Sequence, residues 1–298
     1  MKLEPPLLAL APAKVNLCLY VGRTRSDGLH EICSLFQSVT LADEVRLERA
    51  EGKSDEVVTP GVSGPNLAAK ALAGFRERFK WDDGPVRIAI EKRVPIAAGL
   101  GGGSADAAAV LRLAAAASGM RPPAAELVRL AMSIGADVPS QLAPGLSLVT
   151  GAGEQVVPLE GPSEIGFVIL AAKQGLSTRD VYARADDLRL PRPDLDQICS
   201  SVEQAIEPPA VLPALLHNDL QAATLELAPE TGAALDLLDE SGAAGALVSG
   251  SGPSAFGLYE GGTEADRAGA WLRERWRGGV FAATAVQPSF GEPRPATQ

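Results

Sequence analysis

Aromatic side chains are scarce, at 4% of 298 residues, while alanine is plentiful and glycine occurs 31 times. A core built from bulky rings is excluded, and close contacts between small side chains on helices and sheets are expected instead. Cysteine occurs three times, at Cys18, Cys33 and Cys199, without a Cys-x-x-Cys pair. That excludes a disulfide framework and fits the reduced thiols of a cytoplasmic protein. Two histidines, His30 and His217, are too few for a histidine-rich metal centre, so no metal site on the protein is expected. A basic surplus is also missing. Net charge is −10 and the isoelectric point about 4.9, which argues against a nucleic-acid partner. Small anionic substrates stay compatible, because charges beyond about 8 Å are screened at physiological salt. No apolar run reaches 18 residues, and Met1-Lys2-Leu3-Glu4-Pro5-Pro6 does not read as a secretory signal, so no membrane partner is expected. What is present is 46% apolar and 21% charged residues, enough for one large or two ordinary domains.

The densest signal lies between Pro95 and Ala109, where Gly99, Gly101, Gly102 and Gly103 run into Ser104 and an Ala/Leu-rich segment. Glycine lets backbone N–H groups approach a ligand without a Cβ in the way. A helix start adds unpaired donors and the positive end of a dipole, so the segment predicts an anion cradle. Ser104 is expected as N-cap, with Asp106 in the first turn and Gly119 as the stop. Neither common phosphate motif fits. No lysine lies between Arg93 and Lys173, which excludes a P-loop, and Ser118 to Met120 offers no acid for a dinucleotide fingerprint. The alternative is a tight turn against a packing helix.

Alternation of Val15, Leu17, Leu19 and Val21 predicts a strand, and Ser26-Asp27-Gly28 a turn. A returning strand is expected over 31–41, then a second turn at Ala42-Asp43-Glu44 and a further strand. Helices are expected over 66–79, opened by Gly64-Pro65, and over 104–118 and 123–134. Strands are expected over 86–91, 145–157 and 165–171, with a domain junction at Gly161-Pro162-Ser163. A mostly helical segment follows from 178 to 237, broken at 191–193 and 208–213. Two strands around Ser249-Gly250-Ser251-Gly252-Pro253-Ser254, a helix over 263–277 and a strand over 280–286 complete the pattern. The expectation is an α+β chain of two domains, 1–160 and 161–287, with 288–298 as a frayed tail.

Several polar residues could do chemistry. Lys14 and Asn16 share one face of their strand and line either a cleft or a solvated edge. Asp137, in Gly135-Ala136-Asp137-Val138-Pro139, reads by default as a helix cap; as a carboxylate it could also accept a hydroxyl proton. His30 taken alone reads as a satisfied histidine. The glycines at 250 and 252 fit a plain turn or a second donor-rich loop equally, and Asn218 reads as a cap.

Taken in order, Pro12-Ala13-Lys14-Val15-Asn16-Leu17, Asp27-Gly28-Leu29-His30-Glu31, the 95–109 loop, Gly135-Ala136-Asp137-Val138-Pro139 and Gly250-Ser251-Gly252-Pro253 resemble the GHMP kinases over residues 9–286. The resemblance implies an N-terminal domain like the second domain of ribosomal protein S5, a ferredoxin-like C-terminal domain, and an active site between them. It implies ATP and Mg²⁺ as cofactors, and as substrate a small molecule bearing a cytidine diphosphate group, phosphorylated on the 2-hydroxyl of its methylerythritol unit. Asp137 would be the general base, on what this reading takes as a primary hydroxyl, and Lys14 would stabilise charge. Asn16 would position the substrate. Asn66 and Lys92 would lie near the adenosine, and Gly99 to Ser104 would hold the phosphates. His30 would hydrogen-bond the cytosine, and Thr178 and Tyr182 would contact the nucleotide. Gly250 and Gly252 would close the site, in a monomer or weak homodimer. Two positions depart from the family pattern: Leu29 where a tyrosine is usual, and Ser140-Gln141 in place of an apolar pair. Kinases of the same family acting on homoserine, mevalonate or a sugar, and an inactive nucleotide-binding relative, are the competing readings.

Overall fold

The computed structural model describes residues 6–61, 66–161, 164–205 and 212–296. Two long strands, β1 (Leu7–Thr24) and β2 (His30–Arg49), form an antiparallel pair through the turn at Gly28, whose φ of 83° favours glycine. The pairing shifts register after Pro12 and again after Asn16. Such irregularities re-aim side chains, and these two flank the segment that carries Lys14 and Asn16. β2 does not turn at Ala42-Asp43-Glu44 as expected. Asp43 is fully buried there, and its carboxylate accepts the backbone N–H groups of Arg93 and Val94 at 2.6 and 2.8 Å, so the strand continues.

Around this pair the first sheet runs β12–β1–β2–β4–β3, with β3 at Glu56–Val58, β4 at Val86–Glu91 and β12 at Arg294–Pro295. β5 (Leu146–Gly151) joins β2, and β6 (Gln155–Leu159) pairs with β5, so the strand expected over 145–157 is a hairpin. Three helices cover one face: α1 (Leu67–Phe79), α2 (Gly102–Ser118) and α3 (Ala124–Ile134). α2 is buried along most of its length by alanines, which lets it lie close to α1 and the sheet.

The second sheet is antiparallel, ordered β11–β7–β10–β9, with β7 at Gly166–Ala171, β9 at Ala246–Val248, β10 at Ala255–Tyr259 and β11 at Gly279–Thr284. β7 is buried on both faces. Phe167 and Ile169 pack into the cluster shared with Val15 and Leu17 of β1, while Val168 and Leu170 pack beneath α8 (Glu230–Glu240) and α9 (Gly262–Arg273). Between β7 and β9 the chain forms α4 (Thr178–Asp187), α5 (Leu195–Ala205), α6 (Leu212–Leu215) and α7 (Gln221–Leu227) ahead of α8. The two-residue β8 (His217–Asn218) pairs in parallel with β1. β8 and β12 thus complete the first sheet from beyond residue 160, and the two domains interlock.

The carboxy-terminal segment departs from the frayed tail expected for it. Pro288–Gly291 forms a 3₁₀ turn, Arg294 and Pro295 pair with β1, and Ala296 donates its N–H to Pro6 at 2.7 Å. Arg112 of α2 holds this segment by donating to the carbonyls of Gly291 at 2.8 Å, Leu10 at 2.9 Å and Gln141. Burial pushes that guanidinium down to about 10. Gly64-Pro65, Pro162-Ser163 and residues 208–211 of the expected proline break lie outside the described residues. The three cysteines, far apart in sequence, converge where α5 meets β1 and β2. All three are unbridged, and contact with Cys199, together with burial, raises the Cys33 thiol well above its usual range.

Candidate active site

A cleft of about 520 Å³ opens between the glycine segment, β1, α4 and the loop that joins β9 to β10. α2 starts at Gly102, two residues earlier than expected. Its N-cap is Gly101, at φ 68° and without a side-chain cap, so Ser104 is the third helical residue and Asp106 falls in the second turn. The N–H groups of Gly102, Gly103 and Ser104 therefore have no partner within the helix, and these residues line the cleft at the positive end of the dipole. This geometry can hold an anion.

The glycines serve different purposes. A Cβ on Gly99, at φ 76°, would sit 2.3 Å from the Ser249 carbonyl oxygen and 2.9 Å from that of Gly252. Gly99 is thus the point where the two glycine segments touch, and Ser249 Oγ donates to its carbonyl at 3.2 Å. A Cβ on Gly101 would press on the Lys14 stem at 3.0 Å, and one on Gly102 on Val94 at 3.0 Å. Gly103 alone faces nearly open space, with nothing closer than 3.9 Å. Gly99→Ala is expected to destabilise the fold by about 1–3 kcal/mol and to weaken nucleotide binding, checked by denaturant melts and nucleotide titration.

Lys14 and Asn16 both point into the cleft, Lys14 5% and Asn16 1% exposed. The Lys14 N–H donates to the Leu100 carbonyl at 2.9 Å, which ties β1 to the glycine loop. Its Nζ donates to Asn16 Oδ1 at 2.7 Å, lies 4.6 Å from the Phe36 ring centre, and stands 3.7 Å from Asp137 Oδ2. Asn16 Nδ2 donates to Ser34 Oγ at 2.9 Å, and Ser34 in turn to the Cys18 carbonyl at 2.5 Å, so the amide is held in one orientation. Burial lowers the Lys14 ammonium below its usual range, and Asp137 opposes that shift.

Asp137 does not act as a cap. The 3₁₀ turn Pro139–Gln141 takes Val138 as its N-cap with no side-chain bond, which leaves the Asp137 carboxylate, one-third exposed, to face Lys14. Ser140 explains part of the departure noted above, since its hydroxyl donates to the Asp137 carbonyl at 2.8 Å and fixes the turn. Gln141 is buried with Oε1 unpartnered among the described residues, and nothing in the structure accounts for that choice.

At the other end of the cleft, Asn66 caps α1 through the Ala68 N–H at 2.9 Å and donates to Thr59 Oγ1 at 3.0 Å. Lys92 is gripped by Asp43 at 2.5 Å and Asp106 at 2.7 Å. Burial works against that ammonium, yet Asp106 and Asp43 together hold it above its usual range. Both Asn66 and Lys92 line the cleft. From the second domain, Thr178 Oγ1 meets Ser251 Oγ at 3.0 Å, and the Tyr182 ring closes one wall. Burial, and next to it Asp137, raises the Tyr182 phenol above its usual range. Gly250, at φ 59°, approaches so closely that a Cβ would lie 3.1 Å from Asn16 Oδ1 and 3.3 Å from Lys14 Nζ.

Two expected residues stand back from the cleft wall. His30 lies behind Tyr182, ring centres 5.1 Å apart, with Nε2 within 2.8 Å of Asp186 and 3.2 Å of Thr24 Oγ1. Gly252 packs against Thr224 and Val248. Leu29 is 52% exposed. Sequence reading gave no site role to Phe36, Ser34, Asp43 or Ser251, of which only Ser251 lies in a quoted motif. Asn218, read as a cap, does bond the Leu220 N–H at 2.9 Å, and also donates at 2.8 Å to the carbonyls of Val248 and Gly250, which anchors the second glycine segment.

An uncapped glycine helix start, an adjoining Lys–carboxylate pair and a second glycine loop closing over both define a small-molecule phosphotransferase site of the GHMP type. Family models agree: GHMP kinases N terminal domain matches residues 66–145 and GHMP kinases C terminal matches 203–278. The chain belongs to the GHMP kinases. It is 41% identical over 92% of its length to 4-diphosphocytidyl-2-C-methyl-D-erythritol kinase of Anaeromyxobacter dehalogenans (87% of that protein covered). It is 37% identical over 94% to the Syntrophotalea carbinolica protein of the same name (98% covered). A crystal structure of 4-(cytidine 5'-diphospho)-2C-methyl-D-erythritol kinase superposes with a TM-score of 0.76 at 36% identity, covering 93% of this chain and 98% of that one. A homoserine kinase from Cytophaga hutchinsonii shares the fold, with a TM-score of 0.73 at 20% identity over 99% of this chain and 98% of that one.

Proposed function

We propose that this chain transfers the terminal phosphoryl group of ATP to the 2-hydroxyl of 4-diphosphocytidyl-2-C-methyl-D-erythritol, a step toward isoprenoid precursors. The observation that carries the reading is the buried Lys14 ammonium, 3.7 Å from the Asp137 carboxylate and beside the glycine helix start. The names of the relatives support the choice of substrate. Position 2 carries the methyl branch, so the acceptor is a tertiary alcohol and not the primary one first expected. A hindered hydroxyl makes alignment matter more.

In this reading the N–H groups of residues 102–104 hold the triphosphate, with Asn66 and Lys92 toward the adenosine. Asp137 takes the acceptor proton, and Lys14 offsets charge on the attacking oxygen and the transferring group. Asn16 orients Lys14 and the substrate. Thr178 and Tyr182 contact the cytidine, and His30, beside Tyr182, bonds the edge of the base through Nδ1, since Nε2 is engaged by Asp186 and Thr24. With Leu29 in place of a second ring, the base stacks on one face, a loss of about 1–3 kcal/mol. Among the described residues no three His, Cys, Asp or Glu side chains are grouped to hold a metal ion. Mg²⁺ belongs to the reading as part of the ATP substrate, held by phosphate oxygens and water. The reading keeps a monomer or weak homodimer, and the cysteine usage supports a cytoplasmic location.

The test is ADP release with a panel of alcohols. Turnover is expected only with the cytidine diphosphate-bearing methylerythritol; faster turnover of homoserine, mevalonate or a sugar would overturn the substrate, and none at all the kinase reading.

A further inference from the structure

Behind the helix start, Asp43, Lys92 and Asp106 form a cluster to which the mechanism above gives no chemical task. Asp43 is 0% and Asp106 5% exposed, and both accept from the single Lys92 ammonium. Their remaining oxygens are unequally provided for. Asp43 Oδ1 accepts two backbone N–H groups, which hold that carboxylate as the anion. Asp106 Oδ1 is buried with no hydrogen-bond partner among the described residues.

Two carboxylates facing one ammonium leave a negative charge uncompensated, and burial makes such a charge costly. A proton removes it, and the oxygen without a donor is where the proton goes. Asp43 and Asp106 stand within hydrogen-bonding reach of each other, so a protonated Asp106 finds an acceptor. Other nearby charges are engaged elsewhere. On β1, Lys14 serves Asn16 and Asp137. On α1, Lys70 bonds the Ser133 carbonyl, while Ala68 and Ala71 share the apolar cluster with α2. On α2 itself, Arg112 bonds backbone carbonyls. Arg93 pairs with Glu44 and Glu91.

We propose that Asp106 takes up a proton when nucleotide enters the cleft, so that ATP affinity is set by the charge of the Asp43–Lys92–Asp106 cluster. The inference rests on the reading of this cleft as the ATP site; Lys92 and Asp106 both line it. With both acids ionised the cluster carries a net negative charge against a polyanion, and with Asp106 protonated it is neutral. Burial, only partly offset by Lys92, pushes the Asp106 carboxyl up to about 7, which places the change near neutrality. The protonated form favours the anion, so affinity falls as pH rises through that value.

The experiment is calorimetric titration with ADP, on the wild-type chain and Asp106→Asn, from about pH 6 to 8.5. Wild-type affinity is expected to fall about tenfold relative to the variant over that range, since asparagine imitates the neutral acid. At the alkaline end Asp106→Asn binds ADP more tightly than wild type. The nucleotide's own ionisation cancels between the two proteins. At about pH 8 in buffers of different ionisation enthalpy, wild type is expected to take up about half a proton on binding, as a tenfold change requires, and the variant none. Parallel affinity profiles, or no wild-type proton uptake, overturn the proposal. If the variant does not fold, the wild-type proton count decides alone. A folded wild-type chain that binds no ADP at all overturns the ATP reading, and this inference with it.

Discussion

Asp137→Asn is expected to lose about 10²–10⁴ in kcat, roughly 3–5 kcal/mol of transition-state stabilisation, with nucleotide affinity and thermal stability close to wild type. The substitution is nearly isosteric. Among the described residues no backbone N–H relies on this carboxylate, and the turn that follows is held by main-chain and Ser140 bonds. Only the capacity to accept a proton and the attraction to Lys14 at 3.7 Å are removed. Lys14 keeps its bond to Asn16, so the cleft retains its shape. Steady-state kinetics beside a melting curve and an ADP titration check this. A near-normal kcat would remove Asp137 as the base.

A comparable loss in kcat is expected for Lys14→Ala, but that change does two things at once. It removes the charge meant to meet the transferring group, and it empties the space that the lysine stem fills beneath Gly101, where a Cβ on the glycine would lie 3.0 Å from it. Lys14→Met separates the two, since the thioether chain fills most of the same volume without a charge. The methionine variant is expected to melt near wild type while its kcat falls about 10²–10³, as for loss of one charge-stabilising donor. An effect confined to KM would mean that Lys14 only binds. Combining Lys14→Met with Asp137→Asn is expected to cost little more than either alone, because two groups serving one proton transfer fail as a unit.

How much of this was readable beforehand depends on the distance over which each interaction acts. The helix stop at Gly119, the hairpin at Gly28 and the strand at Gly166–Ala171 are local, and they stand where turn chemistry and an apolar run of strand length put them. The cap assignments at Ser104 and Asp137 failed for one shared reason. Both side chains have good local cap chemistry, but Gly101 takes a backbone angle that starts the helix earlier, and Lys14, far away in sequence, stands opposite Asp137. The continuous β2 strand through Asp43 was illegible for the same reason, because its partners are 50 and 51 residues away.

By itself the order of residues determined the family, the cradle at the start of α2 and the polar side chains able to serve a phosphoryl transfer, because each is written in a short stretch whose conformation is set by its own neighbours. Only tertiary packing decided which of those side chains meet. It assigned Gly99 to the contact between two loops, stood His30 beside Tyr182, drew residues 288–296 onto β1 through Arg112, and left Asp106 with a buried oxygen that has no partner among the described residues. These outcomes turn on contacts between elements distant in the chain, where burial and the pairing of charges settle the energy and spacing along the sequence carries no record of them.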